Sequence, residues 1–470
     1  MTGSGDHTLQ WGGGQEMTEL EATMWRANRH PENSTQGGVL EILGGTPDWA
    51  QVRAWHEFGL GEYPRFKQKV VEPAIPVGPP VWVDDADFDL DHHLRRVRLP
   101  APGTMDQLLE TAQTWALKPL DPHRPPWLGV FVEGLEGGRS AYFLVVHHCL
   151  MDGHGSVQLL GDLHTRPAGA AAGGPRAGSG ATATPGGWGV ATGQAVARVK
   201  GLPGFASKVA AAAVGAVRDP GEAAAFVKSV GRVLAPPPAG GSPLLSSGGR
   251  TLWRYGTLSC DLADLKAAGK AVGGTINDAY VCSILGGLRL YHEAVGAEVG
   301  DVVINMPVSM RRDGDVQGGN RFAAAFISAP SSVVDPAERM RLLRETVTQV
   351  SSEPALDFFS LVLPVLNRAP AALLTPLFTG MQNRTDVTVS NVPGVQGESR
   401  LLGETIEGIY YFGPLPGSPV MVVLHSHGGK AFIGVNCDGE VFDHRRLMEF
   451  LQDGLDEILA LAAPTTAARE

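Results

Sequence analysis

A run of glycine, alanine and proline from Arg166 to Gly187 cuts the 470-residue chain into two segments, each mixing helix and strand signals. Such composition cannot bury a core and reads as a flexible linker. The length also exceeds what one small core organises. The expected organisation is a loose tail over 1–16, a mixed segment over 17–165, linker and small-residue helices over 166–250, and a second mixed segment over 251–470. The expected fold class is α+β (α/β): two halves, each a mixed sheet with flanking helices, joined by a long crossover. A ligand site between the halves is the default expectation for that architecture.

In the first segment "MTELEATMWRAN" and "TMDQLLETAQTWALKPL" have helical spacing, the second ending before Pro119. "WLGVFVEGL" and "SAYFLVVHH" read as a hairpin that delivers His147 and His148 at the far end of its second strand. "GSVQLLGDLH" restarts as a helix. In the second segment "TINDAYVCSILGGLRLYHEA" reads as a helix capped by Thr275. "DVVINMPVSM", "TDVTVSNV", "PVMVVLHSH" and "AFIGVNC" read as strands. "DHRRLMEFLQDGLDEILALAA" closes the chain as an amphipathic helix.

The formal charge of −11 argues against a general nucleic-acid binder, which needs a basic face. Four scattered cysteines form no CxxC pair, so neither a structural zinc nor a disulfide frame is expected, and a reducing cytoplasm is the natural home. The first residues carry no signal-peptide pattern. The most apolar window, Phe358 to Phe378, is broken by Asn367, Arg368 and prolines. It reads as buried helices, or as a segment resting on lipid or lining a lipid channel. The Ala/Val/Gly-rich stretch from Trp188 to Leu234 reads as small-residue helices packed against the body of the protein, or as a weakly basic membrane-facing surface.

The sequence "HHCLMDG", His147 to Gly153, is the chemical centre of the first segment. Neighbouring side chains on a strand point to opposite faces, so one histidine can look into a given cavity and the other packs behind it. A neutral imidazole can take a proton from a hydroxyl or thiol. Asp152 could orient a histidine or hold the loop, and Gly153 permits a close backbone approach. Adjacent strand histidines rarely converge on one ion, so no metal is expected. The chain contains no GxSxG elbow, GxGxxG loop or Walker A sequence. A base without its own nucleophile fits direct transfer between two bound substrates.

HHxxxDG after a strand resembles the signature of the CoA-dependent acyltransferase superfamily. With "FDLDHHLRRVRLPAPG" (88–103), "LKPLDPHRPPW" (117–127), "IND" (276–278), "NMPVSMRR" (305–312), "GGNR" (318–321) and "SNVPG" (390–394) in order, the chain resembles the bacterial wax ester synthase/acyl-CoA:diacylglycerol acyltransferase family over roughly 17–460. The resemblance implies two chloramphenicol-acetyltransferase-like halves around a tunnel. It implies acyl-CoA as co-substrate, no resident cofactor, and a long-chain alcohol or diacylglycerol as acceptor. Contact with a membrane or lipid-body surface would follow from such acceptors.

The resemblance also implies roles. His148 is the general base, with His147 and Asp152 completing the catalytic motif and Asp152 usually structural. Asn277, Asp278, Ser390 and Asn391 match motif positions near the active centre. Asn277 and Ser390 have two readings each, as donors to an oxyanion or as local structural groups. Trp127 is a candidate substrate contact or a core residue. Arg311, Arg312 and Arg321 have the charge to meet CoA phosphates and equally the character of solvated surface residues. The chain departs from the family pattern at Pro126, Arg321 and His427, which bears on the acceptor. A specialised-metabolite acceptor and a non-catalytic acyl-CoA or lipid binder are the competing readings.

Overall fold

The protein is seen here as a computed structural model. It describes residues 14–28, 34–75, 78–164, 186–195, 241–246, 249, 251–309, 322–351, 385–394, 397–415 and 417–462. In chain order the strands of its first half are β1 (Gln36–Leu43), β2 (Gln68–Val71), β3 (Val81–Asp84), β4 (Leu94–Arg98), β5 (Trp127–Leu135) and β6 (Arg139–His147). Those that follow are β7 (Trp253–Asp261), β8 (Val302–Ser309), β9 (Phe322–Ala329), β10 (Val387–Val392), β11 (Arg400–Leu401), β12 (Glu404–Phe412), β13 (Val420–His427) and β14 (Lys430–Asp438). The helices are α1 (Glu19–Ala27), α2 (Trp49–Glu62), α3 (Leu90–His93), α4 (Met105–Ala116), α5 (Gly153–His164), α6 (Leu262–Ala271), α7 (Ile276–Val295), α8 (Pro336–Ser351) and α9 (His444–Leu459).

Two mixed six-stranded sheets carry the architecture, with β2 and β3 forming a separate ribbon. The first sheet runs β11-β12-β1-β6-β5-β4 and the second β7-β14-β13-β10-β8-β9. Strand β6 is apolar on both faces because both are covered. Tyr142, Leu144 and Val146 pack with Val52 and Leu60 of α2 and with Leu159, Leu160 and Leu163 of α5. Ala141, Phe143 and Val145 pack with Leu108, Leu109 and Ala112 of α4. A strand covered on both sides reads as a continuous apolar run rather than an alternation.

Helix α7 forms the centre of the second half. Thr275 Oγ1 accepts from the Asp278 amide at 3.3 Å, and the Asp278 carboxylate accepts from the Thr275 amide at 2.8 Å. This reciprocal cap satisfies donors that a helix start leaves open. Helix α9 crosses α7 where glycines face it: a Cβ on Gly287 would sit 2.7 Å from the Leu451 Cα. Strands β13 and β14 are joined by Gly428 and Gly429, both with positive φ, as a two-residue hairpin loop favours.

The division of the sequence at 251 does not hold in space. Strands β11 and β12 come late in the chain yet complete the first sheet, with Leu40 opposite Tyr410 and Gly38 opposite Phe412. The chain leaves β12 directly into β13 of the second sheet. The two halves are therefore tied together by a shared strand segment as well as by packing, including the stack of Tyr255 on Phe412 with centroids 4.1 Å apart. Among the described residues no helix is long and apolar enough to cross a membrane. The Phe358–Phe378 window and most of residues 188–250 lie outside the described residues.

Candidate active site

Strand β6 and its turn place the two histidines differently. The His148 amide donates to the Thr35 carbonyl at 3.0 Å, extending the β6–β1 ladder by one residue. Alternation therefore sends the Cβ atoms of His147 and His148 to opposite faces. His147 is 1% exposed and both its ring nitrogens are engaged. The Cys149 amide donates to Nδ1 at 3.1 Å, so Nε2 carries the proton and donates to Thr35 Oγ1, also at 3.1 Å. Its ring lies 5.2 Å from that of Trp25. Burial, and then the neighbouring His148, push the His147 imidazole down to about 3, so it is neutral at physiological pH. His148 is half-buried.

Asp152 holds the turn that follows. It is buried, its Oδ1 accepts from the Gly155 amide at 2.7 Å, and its carbonyl accepts from the Ser156 amide at 2.9 Å. These bonds serve the start of α5, where a carboxylate also suits the helix dipole.

The turn docks onto the second half. A Cβ on Gly153 would lie 2.7 Å from Val392 Cγ2 at the end of β10, so only glycine allows the observed approach. Ser156 Oγ donates to the Gly153 carbonyl at 2.6 Å and lies 3.1 Å from the Tyr411 hydroxyl on β12. The Tyr411 ring is 4.9 Å from that of His425, whose Nδ1 donates to the Val392 carbonyl at 3.0 Å. Burial, partly offset by that hydrogen bond, pushes His425 down to about 4. Tyr411 is missed by reading the sequence, because its place depends on β12 joining the first sheet.

Ser390, half-buried, and Asn391, exposed, stand just before Val392 on β10. At the same end of the second sheet, Asn277 in the first turn of α7 directs its Nδ2 to Met306 Sδ of β8 at 3.5 Å. Asn277 is not the helix cap, since Thr275 and Asp278 fill that role. Asp278 is buried and also lies 3.6 Å from Arg344. Trp127 is a core residue: it is 3% exposed, donates Nε1 to the Phe66 carbonyl at 2.8 Å and stacks on His93 at 4.7 Å. Arg311, Arg312 and Arg321 lie outside the described residues.

On the His147 side a cleft of about 570 Å³ is lined by Trp25, Asn28, Lys69, Pro119, His123 and His147, among others. That volume falls within the range of small-molecule sites. Among the described residues no group of three or more His, Cys, Asp or Glu side chains could hold a metal ion. A buried pair also links α5 to β1: His164 Nε2 is 2.7 Å from Glu41 Oε1, with both side chains almost fully enclosed.

Comparison with known proteins agrees with this geometry. Residues 19–280 match the wax ester synthase/diacylglycerol acyltransferase catalytic domain and residues 318–459 the C-terminal domain of the same family. A protein of Mycobacterium tuberculosis H37Rv, provisionally named a diacylglycerol O-acyltransferase, is 36% identical over 95% of this chain and 92% of its own. The wax ester synthase/diacylglycerol acyltransferase from Marinobacter aquaeolei VT8 superposes with a TM-score of 0.63 at 20% identity, covering 95% of this chain and 99% of that one. The starter condensation domain of rhizomide synthetase, solved as a double mutant with C8-CoA, shares the fold with a TM-score of 0.54 at 12% identity over 96% of this chain and 95% of its own. A chain with two such domain matches over a shared-strand pair of sheets belongs to the wax ester synthase/diacylglycerol acyltransferase family of acyl-CoA-dependent acyltransferases.

Proposed function

We propose that this acyltransferase moves a fatty acyl group from acyl-CoA to a hydroxyl of diacylglycerol or a long-chain alcohol, with His148 as general base. The observation that carries the reading is the intact HHxxxDG turn, seated by Gly153 against Val392 of the second half. His147, neutral and bonded at both ring nitrogens, fixes that turn, while His148 occupies the opposite face.

In this reading the His148 imidazole takes the proton from the acceptor hydroxyl as its oxygen attacks the thioester carbonyl carbon. Asn277 Nδ2, which is not used in capping its helix, and Ser390 are the donors assigned to the oxyanion. The tetrahedral intermediate collapses, the C–S bond breaks, and the imidazolium returns its proton to the leaving CoA thiolate. No acyl-enzyme forms, because the acceptor oxygen attacks the thioester directly. General-base assistance is typically worth roughly 10²–10⁴ in rate.

The test is release of free CoA thiol from palmitoyl-CoA in the presence of dioleoylglycerol, hexadecanol or small polar alcohols. The expected result is release with the two lipid acceptors and little with the small ones. Release confined to compact polar acceptors would replace the lipid acceptor with a specialised metabolite. Acyl-CoA binding without release to any acceptor would make the chain a binding protein.

A further inference from the structure

We propose that a small apolar cavity beneath α5 receives the far end of a substrate alkyl chain whose reacting end lies at His148. This rests on the function proposed above and names a subsite for it. The cavity, about 50 Å³, lies between α2, α5 and the face of β6, and its lining includes Trp55, Gly59, Leu60, Tyr142, Leu144 and Leu163. That is room for the end of a chain, not for its whole length.

The polar atoms at its wall are largely satisfied by one another. His56 donates Nδ1 to the Val52 carbonyl at 2.8 Å and accepts at Nε2 from the Tyr142 hydroxyl at 2.9 Å. Burial pushes His56 down to about 4, so the imidazole is neutral. Trp55 Nε1 is a buried donor with no hydrogen-bond partner, but a lone donor cannot hold a water, which needs two to four partners. A dry apolar cavity of this kind takes hydrocarbon.

Its position ties it to the reacting end. Tyr142, Leu144 and Val146 share one face of β6, and alternation continues that face to His148. From Leu144 and Tyr142 to His148 is four to six residues, or about 13–20 Å along a strand. Long acyl chains cover that distance and short ones do not. Helix α5 connects the two places, beginning at Gly153 of the motif and supplying Leu159, Leu160 and Leu163 to the cavity.

Gly59 offers the direct test. A Cβ there would meet only Leu163 Cδ2, at 3.7 Å, so Gly59→Leu grows into the cavity. Turnover would be followed for octanoyl- to stearoyl-CoA with one acceptor, and for octanol to octadecanol with one donor. Binding of the same compounds would be measured by calorimetry, which needs no turnover. The expected result is a fall of about tenfold in the long-to-short ratio, the effect of expelling about two methylenes from an apolar site. Leu163→Ala should move the ratio the other way, toward longer chains. A change confined to the CoA series assigns the cavity to the donor, and one confined to the alcohol series assigns it to the acceptor. Ratios unmoved in both series, or losses equal at every length, would overturn the proposal. If wild type releases no thiol, the proposed function fails and the binding ratios alone decide the cavity's role.

Discussion

Gly153 and Val392 meet at the seam between the halves, where a Cβ on the glycine would stand 2.7 Å from the valine Cγ2. The His147–Gly153 turn is thus positioned by a residue of the second sheet that lies far from it in sequence. Gly153→Ala should cost about 1–3 kcal/mol through overpacking and should lower turnover by displacing the turn. In a double-mutant cycle, Val392→Ala should return part of both losses. Thermal unfolding and thiol release on the four proteins measure this. Additive losses would mean the contact does not set the turn.

His147 gives a pH dependence with a defined sign. Burial holds its folded pKa near 3, whereas an imidazole in an unfolded chain titrates near 6.5. Between those values the unfolded state binds a proton that the native state refuses. Its contribution to stability is therefore complete above about pH 6.5 and is lost as pH falls toward 3. His56, His93 and His425, each pushed by burial down to about 4, act in the same direction. The melting temperature should fall steadily below pH 6.5, and His147→Gln should flatten that slope. An unchanged slope in the variant would assign the acid sensitivity to other groups.

Ser156 and Tyr411, 3.1 Å apart across the seam, should couple. Ser156→Ala and Tyr411→Phe should each cost about 0.5–1.5 kcal/mol. The double variant should cost less than the sum, read from denaturant unfolding.

The Glu41–His164 pair should be more sensitive. Both side chains are enclosed, so His164→Ala removes the group facing a buried acidic side chain, at a cost of about 1–3 kcal/mol. Adding Glu41→Gln should recover much of that. Denaturant midpoints of the single and double variants test it.

Local features were legible in the sequence where local chemistry decides them. The β5–β6 hairpin is flanked by apolar runs and turned at Gly137 and Gly138, both with positive φ. Helix α7 is announced by Thr275 and Asp278, whose reciprocal cap also removes the alternative in which Asn277 caps the helix. What could not be read depends on pairing across hundreds of residues. "ETIEGIYYF" looks like any strand, and nothing local says that it joins β1 rather than β13. Tyr411, and with it the link to Ser156, was hidden for that reason. Glu41, in the apolar run of β1, gives no local sign of burial, because its partner His164 arrives only when α5 packs.

The most direct test of the account is turnover by purified His148→Ala, compared with wild type on palmitoyl-CoA and the best acceptor, with melting temperatures measured alongside. The account predicts a loss of roughly 10²–10⁴, or about 3–5.5 kcal/mol of barrier, in a protein that still melts cooperatively near the wild-type temperature. Wild-type turnover from that folded variant would contradict it.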